Sequence, residues 1–355
     1  MVGGVPHLAF ESADLPPGEG RARWQALVDA YDVSLPEGYA EEDFAVSSQS
    51  WLLGEVVITH GRLTPVQLTR ASARMAADGR DTFTFGLVTR GHLEGDFDGR
   101  ACELRPGQIC VIDFSRPWRA TTSNTEFILL LVPRQALMAL VPRAGDLHGR
   151  RLDGATARIV TEHLLALVRH LDQASAADAP VLQRATVHMV AASLAALAPE
   201  PAEAPGGSPA RVADRVRRYV EDHLAHANLS PGVLCATLGL SRPTLYRAFR
   251  ASGGVSSYVQ RRRLEAAHVR LSDAAETRSV AELALACGFL SHAHFSTAFR
   301  RRFGYAPRDA QRGPASPAGD GGLLDDAALQ FRSWILELTA RIDPNETRVK
   351  IHSPF

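Results

Sequence analysis

Residues 286–307 read ACGFLSHAHFSTAFRRRFGYAP, and their side chains fit two different chemistries. Cys287, His292 and His294 are metal-ligand types set close together, whereas Arg300, Arg301 and Arg302 form a positive run suited to phosphate. Helical geometry separates the two. Residues two apart on an α-helix lie about 200° apart around its axis, so His292 and His294 cannot grip one ion together. Cys287 precedes the glycine at 288 on the side expected to face inward, where a buried thiol is the ordinary occupant. No metal ligand is expected here. The histidines are left for base edges or water, and the arginines for a polyanion.

The charge of the whole chain points the same way. Its 355 residues include 39 basic and 39 acidic side chains, a formal net charge of zero. Residues 211–312 nevertheless hold 17 arginines, no lysine and 8 acidic residues, a balance of +9 that leaves −9 for the rest. A basic third on a neutral protein is the electrostatic footprint of contact with phosphates. Other classes are excluded or disfavoured. No apolar run reaches the roughly 20 residues that cross a bilayer, and the N-terminal stretch lacks a basic start followed by an apolar core. The scattered Cys102, Cys110, Cys235 and Cys287 read as reduced, buried thiols of a cytoplasmic protein.

Length supports two domains, and composition places the joint. APEPAEAPGGSPA, residues 198–210, is too rich in proline and glycine to continue a helix or join a sheet, and reads as a linker. Before it, residues 44–132 hold short apolar or alternating runs broken by Gly, Pro and Asp, which predicts an antiparallel sandwich or barrel of about eight strands. Residues 1–43 are expected to form an N-terminal arm and helix. Two amphipathic helices follow the strands. The first should bury Ile159, His163 or Leu164, Leu167 and Leu171, and the second Val181, Ala185, Met189 and Leu197. Residues 44–197 thus form one domain of strands followed by helices.

After the linker the pattern is helical and repeats. Leu234 and Gly239 recur as Leu283 and Gly288, 49 residues later. Leu245, Phe249, Arg250 and Gly254 recur as Phe295, Phe299, Arg300 and Gly304, 50 residues later, so one residue is added in the second turn. Each copy reads as helix, glycine turn, helix. In the first, Gly239 stops one helix, Ser241 caps the next and Pro243 fits its first turn. Leu245 and Phe249 face inward, which leaves Arg242, Thr244, Tyr246, Arg247 and Arg250 outside. In the second, Ser291 is the cap and Phe295 and Phe299 face inward. His292, Ala293, His294, Ser296, Thr297, Arg300 and Arg301 then lie at the exposed face or its edges. This is helix-turn-helix grammar, in which the second helix enters a major groove and arginines at its end meet phosphate.

Residues 211–312 resemble the DNA-binding domain of AraC/XylS transcriptional regulators. Cys287-Gly288-Phe289, Ser291, Phe295, Phe299, Gly304 and Pro307 stand at the spacing of that family's most recognisable signature. The resemblance implies seven helices and two recognition helices in successive major-groove segments on one face of the DNA. Carried over by position, it implies contacts from Arg242, Pro243, Tyr246 and Arg247, and from His292, Ala293, Ser296 and Thr297. Two departures stand out: Thr297 occupies a place where the family often has Arg, and Pro307-Arg308-Asp309-Ala310-Gln311-Arg312 replaces a closing Pro-x-x-Tyr-Arg. The segment LRPGQICVIDFSRPWRATT resembles the cupin-like sensory domain often joined to such regulators, with Pro106-Gly107 at a tight turn. That resemblance implies a small-molecule pocket in the barrel and dimerisation through the helices after it. Trp51, Phe83, Phe85 and Trp118 are the candidates to line the pocket, with core filling as the alternative for each. No His-x-His with a following Glu is present, so the metal site of enzymatic cupins is not supported, and His60 and His92 are isolated.

Residues 313–355 extend beyond the family pattern. Leu324, Ala328, Phe331, Ile335, Leu338 and Ile342 form an apolar helical stripe that either packs on its own protein or binds a partner.

The fold expected is α+β: a cupin-like β-barrel followed by helices, then an all-α domain with two helix-turn-helix modules. The function expected is sequence-specific regulation of transcription, with activation in response to a small-molecule effector. Its partners are double-stranded promoter DNA, that effector, a second copy of the chain and, by resemblance, RNA polymerase. No cofactor, catalytic set or membrane contact is expected. The rivals are an effector-independent regulator controlled by a protein partner and a non-sensing architectural DNA-binding protein.

Overall fold

The computed structural model describes residues 4–195 except 79 and 143, residue 197, residues 209–310 except 273–275, and residues 330, 331, 334 and 335. The chain divides into two compact units: the first holds the residues up to Arg211 together with residues 251–253 and the described tail residues 330, 331, 334 and 335, and the second the other described residues from Val212 onward.

Among the described residues of the first unit, twelve strands form two antiparallel sheets. They are β1 (His7–Glu11), β2 (Asp32–Ser34), β3 (Val46–Leu53), β4 (Val56–Leu63), β5 (Gln67–Arg70), β6 (Thr82–Arg90), β7 (Leu93–Asp96), β8 (Ala101–Leu104), β9 (Gln108–Asp113), β10 (Trp118–Thr122), β11 (Thr125–Pro133) and β12 (Arg151–Leu152). The seven-stranded sheet runs β1-β3-β4-β11-β6-β9-β12 and the five-stranded sheet runs β2-β5-β10-β7-β8. Nine of them, β3 to β11, fall in the stretch where about eight were expected; β1 and β2 precede that stretch and β12 follows it. β1 pairs with β3 from His7↔Trp51 to Glu11↔Ser47, which draws the N-terminal arm into the same sheet system. Its alternate residues are exposed, so the five-residue run carries little periodic signal. Turn chemistry follows the sequence. Arg105-Pro106-Gly107-Gln108 closes with a Gln108 N–H bond to the Arg105 carbonyl at 3.1 Å, and Gly107 takes φ 82°. Proline at the second position and a left-handed glycine at the third are what a type II turn demands.

The helices of this unit are α1 (Gly20–Leu27), α2 (Ser72–Asp78), α3 (Arg134–Leu140), α4 (Gly154–His170) and α5 (Ala179–Ala195). One face of the seven-stranded sheet packs on α3, α4 and α5 through Phe83, Phe85, Leu87, Leu137, Leu164 and Val190. The expected inward stripes are corrected in part. Leu164, Leu167 and Leu171 are buried as expected, but Ile159 is 63% exposed and Val181 57% exposed. On α5 the buried positions include Ala179, Thr186, Val187, Val190, Ala191, Ser193 and Leu194; Ala185 is exposed, and Met189 and Leu197 are half-buried against the same core. α5 is apolar around much of its circumference, so residue spacing alone leaves its orientation open.

A second core holds Trp24, Leu27, Val33, Phe44, Val46, Val57 and Val66, and Phe331, Trp334 and Ile335 of the tail are buried in it. The tail stripe, where described, therefore packs on its own protein; Leu324, Ala328, Leu338 and Ile342 lie outside the described residues, as do 198–208 of the linker.

The second unit holds seven helices among its described residues: α6 (Pro209–Asp222), α7 (Pro231–Leu238), α8 (Arg242–Phe249), α9 (Val255–Ser272), α10 (Val280–Ala286), α11 (His292–Phe303) and α12 (Pro307–Ala310). It contains two small cores rather than one. Val255, Tyr258 and Val259 of α9 belong to the first, with Leu234, Leu245 and Phe249. Leu264, Ala267 and Leu271 of the same helix belong to the second, with Leu283, Phe295 and Phe299. One helix thus joins two copies of the same module.

Candidate nucleic-acid interface

Each recognition helix is built by its turn. Gly239 and Gly288 take φ 62° and 82°, left-handed values that cost a glycine least. Ser241 Oγ accepts from the Thr244 N–H at 3.3 Å, and Ser291 Oγ accepts from the His294 N–H at 3.4 Å, so both expected caps are present. Leu245, Phe249, Phe295 and Phe299 are fully buried. Burial of such side chains supplies roughly 1.5–3 kcal/mol each and fixes which side of α8 and α11 faces out.

The outward side carries the residues singled out in the sequence. Arg242, Pro243, Tyr246, Arg247 and Arg250 are exposed and Thr244 is half-buried. His292, Ala293, His294, Thr297, Arg300 and Arg301 are exposed and Ser296 is half-buried. Two of these have local duties: the Thr244 hydroxyl lies 2.8 Å from Ser241 Oγ within the cap, and Ser296 Oγ lies 3.4 Å from His292 Nε2. His294 Nε2 is 3.3 Å from Gln260 Nε2 on α9. Cys287 sits in the second core, 3% exposed.

The arginines sort into two kinds. Arg242, Arg247, Arg250, Arg300 and Arg301 make no side-chain hydrogen bond or ion pair with any described residue. Others are held in place. Arg262 Nε donates to Glu221 Oε1 on α6 at 2.7 Å, and its Nη1 donates to Glu265 Oε2 at 2.6 Å. Arg302 Nη2 donates to the other oxygen, Glu265 Oε1, at 3.2 Å. The Tyr258 hydroxyl adds a bond to Glu221 at 3.1 Å. This chain of charges runs from α6 through α9 to α11. Burial works against the Arg262 guanidinium, but Glu221 and Glu265 outweigh it and raise its pKa well above the ordinary value. Arg263 bonds the carbonyls of Leu224 and His226 at 3.1 and 2.6 Å.

Helical spacing had already left Arg302 off the outer face with Arg300 and Arg301 on it, but it did not show the partner, because Glu265 lies on another helix. It also passed over Leu290. That residue is the one added in the second turn, and it stands 82% exposed beside the cap of α11. The insertion itself was the available signal.

In the first unit the four aromatic candidates do not share one site. Trp51, Phe83 and Phe85 belong to the helix-facing core. Trp51 Nε1 donates to Asp172 Oδ1 at 2.9 Å, and Arg134 lies over the Phe83 ring at 4.4 Å. Trp118 belongs to a different core, among Phe97, Phe114, Ala120 and Ile112. Its ring is stacked on Phe97 at 6.0 Å and tilted to Tyr31 at 5.4 Å, and its Nε1 has no hydrogen-bond partner among the described residues. Thr84 Oγ1 is likewise buried without one. His60 Nε2 is 2.9 Å from Glu126, a local contact between neighbouring strands.

Comparison with known proteins agrees with both halves. Residues 234–313 match the family described as a helix-turn-helix domain, and residues 21–195 match the AraC-binding-like domain. The transcriptional activator NphR of a Rhodococcus species is 27% identical over 316 residues, covering 84% of this chain and 91% of that protein. The HTH-type transcriptional activator RhaS of Escherichia fergusonii is 37% identical over 97 residues, covering 27% of this chain and 34% of that one. The crystal structure of the AraC-like transcriptional activator CuxR superposes with a TM-score of 0.56 at 29% identity, over 73% of this chain and 94% of CuxR. Two matched domains in this order, with a doubled helix-turn-helix whose outer face is arginine-rich, identify the chain as a DNA-binding transcription regulator of the AraC/XylS family.

Proposed function

We propose that the protein activates transcription by reading two successive major-groove segments with α8 and α11, under control of a small molecule bound by the first unit. The observation that carries this reading is the set of five exposed arginines, Arg242, Arg247, Arg250, Arg300 and Arg301, none engaged by a described residue. An arginine without a protein partner keeps all five N–H donors for phosphate or for guanine. Tyr246 and Ala293 add apolar contact for thymine methyls, and Pro243, Thr244, His292, His294, Ser296 and Thr297 complete the base-facing set. Activation is carried over from NphR and RhaS, and RNA polymerase is the partner that activation implies.

Trp118 is the candidate effector contact best supported by its surroundings, since its indole N–H and the Thr84 hydroxyl are buried donors left for a ligand. Trp51, Phe83 and Phe85 support the sheet behind. Ile159 and Val181, exposed on the two helices after the barrel, supply the apolar surface for a homodimer. The effector then shifts the population between conformations in which paired DNA-binding units fit, or fail to fit, adjacent half-sites. Such a regulator works in the cytoplasm. Burial of Phe331, Trp334 and Ile335 within the protein itself favours small-molecule control over capture of a partner by the tail.

Selection of bound sequences from a random DNA pool, with full-length protein at fixed salt, tests this reading. Enrichment of two half-elements about ten base pairs apart is the expected result. Salt-sensitive binding with no enriched motif would instead fit an architectural protein.

A further inference from the structure

Cys102 on β8 and Cys110 on β9 have no part in the reading above. Both are buried, and their Sγ atoms stand 3.7 Å apart. They belong to different sheets, β8 at the edge of the five-stranded sheet and β9 within the seven-stranded one, joined by the Pro106-Gly107 turn. A disulfide needs its sulfurs about 2.0 Å apart, so forming one requires the two side chains to close the remaining gap.

The two thiols have unequal surroundings. Cys110 is wholly buried and its Sγ also faces the Val111 carbonyl at 3.7 Å. Cys102 keeps 8% exposure; its strand also lines an open groove of about 710 Å³ with Glu103 and Arg119, while its side chain belongs to the core shared with Cys110. The hydrogen bond between the two sulfurs lowers the Cys102 pKa, with help from the Arg151 and Arg100 guanidiniums against burial. The same hydrogen bond, then burial, holds the Cys110 thiol well above the ordinary value. Of the two sulfurs, Cys102 is the nearer to solvent and the one whose ionised form its neighbours favour.

We propose that Cys102 and Cys110 form a hydroperoxide-reactive dithiol, with Cys102 as the attacking sulfur and Cys110 as the resolving one. The Cys102 thiolate attacks one peroxide oxygen, the O–O bond breaks, and the leaving hydroxide takes a proton to become water. Cys102 is then a sulfenic acid. The Cys110 sulfur attacks it, an S–S bond forms, and the expelled hydroxide leaves as water with the Cys110 proton. In sum, two thiols and one hydrogen peroxide give one disulfide and two waters. The bond covalently ties the two sheets at the β8–β9 corner, within the core that holds Trp118.

The experiment treats the folded full-length protein with hydrogen peroxide, quenches with an alkylating agent, and maps the cysteines by mass spectrometry. A Cys102–Cys110 linked peptide pair is expected, formed at least about tenfold faster than oxidation of the buried single thiol Cys287. In Cys110→Ser, dimedone should trap a sulfenic acid at Cys102, whereas Cys102→Ser should leave Cys110 reduced. The wild-type map stands even if either variant fails to fold. Recovery of both cysteines as free thiols, when Cys235 or Cys287 has already been oxidised, overturns the proposal. So does a linked pair that forms only after denaturation.

Discussion

Arg301 and Arg302 are neighbours on α11 with opposite fates. Arg302 donates to Glu265 on α9 at 3.2 Å, while Arg301 is exposed and meets no described residue. Successive helical residues lie about 100° apart, so one turns toward the supporting helix and the other toward solvent, on the side proposed for DNA. The two should therefore answer to different assays.

Arg301→Ala should weaken binding to every DNA sequence and lower the slope of log affinity against log salt by about one. Folding stability should stay within about 0.5 kcal/mol of wild type. Binding measured at several salt concentrations gives the slope, and an unchanged slope removes Arg301 from the interface.

Arg247→Ala is expected to cost about 1–3 kcal/mol on the preferred sequence and to relax the preference at one base pair. Repeating the sequence selection with the variant reads this directly. A loss that is equal for all sequences would reassign Arg247 to phosphate.

Glu265 accepts from both Arg262 and Arg302 while only 3% exposed. Glu265→Gln leaves two buried or half-buried guanidiniums short of a counter-charge, and breaking such a buried pair costs about 3–5 kcal/mol. Urea unfolding of the full chain should show a loss near the lower end of that range, since Arg262 keeps Glu221. A loss below about 0.5 kcal/mol would mean the network does not hold α9 to α11.

His268 lies on the same helix, 2.5 Å from the Tyr305 hydroxyl and stacked on Phe299 at 5.9 Å. Burial, and then the Arg302 charge, lower its pKa to about 4. The unfolded chain binds that proton near pH 6.5, so its stabilising contribution is complete above that value and is lost as pH falls from 6.5 toward 4. The whole window is worth about 3 kcal/mol. His268→Gln should flatten the dependence of unfolding free energy on pH between 7 and 5. His148 in the first unit, also pushed down to about 4 by burial, should leave a residual slope of the same sign. An unchanged slope in the variant would mean that His268 is protonated alike in both states.

Trp334 is 5% exposed in a core with Trp24, Leu27 and Phe44. Trp334→Ala should cost roughly 3–5 kcal/mol if that core is intact in solution, and should red-shift the emission of Trp24 as water enters. Thermal unfolding followed by tryptophan fluorescence checks both. An effect below about 0.5 kcal/mol would place the tail elsewhere.

The DNA-binding half was legible because its signals are local. Gly239, Ser241, Pro243, Gly288 and Ser291 each act within one turn, and the inward pairs Leu245/Phe249 and Phe295/Phe299 follow the helical period. The charge chain from Glu221 to Arg302 was not legible, because its members lie on three helices and their spacing has no period. The first unit was legible as strand-rich but not in detail. β1 and β2 are short edge strands, and α5 is apolar on several sides, so Val181 looked inward when it is exposed. Phe83 and Trp118 looked alike in the sequence. Only the sheet pairing shows that they face different cores.

The central claim is that α9, by its apolar packing on α8 and its packing and charge chain to α11, holds the two recognition helices in one register, so that α8 and α11 read DNA on the same face. Inserting five base pairs, about half a helical turn, between the two selected half-elements tests it most directly. Affinity for the altered site should fall to the nonspecific level at the same salt, and a ten-base-pair insertion should leave only one half-element engaged by each DNA-binding unit. Undiminished affinity after the five-base-pair insertion would contradict the claim, because it would mean that the two helices find their half-elements independently.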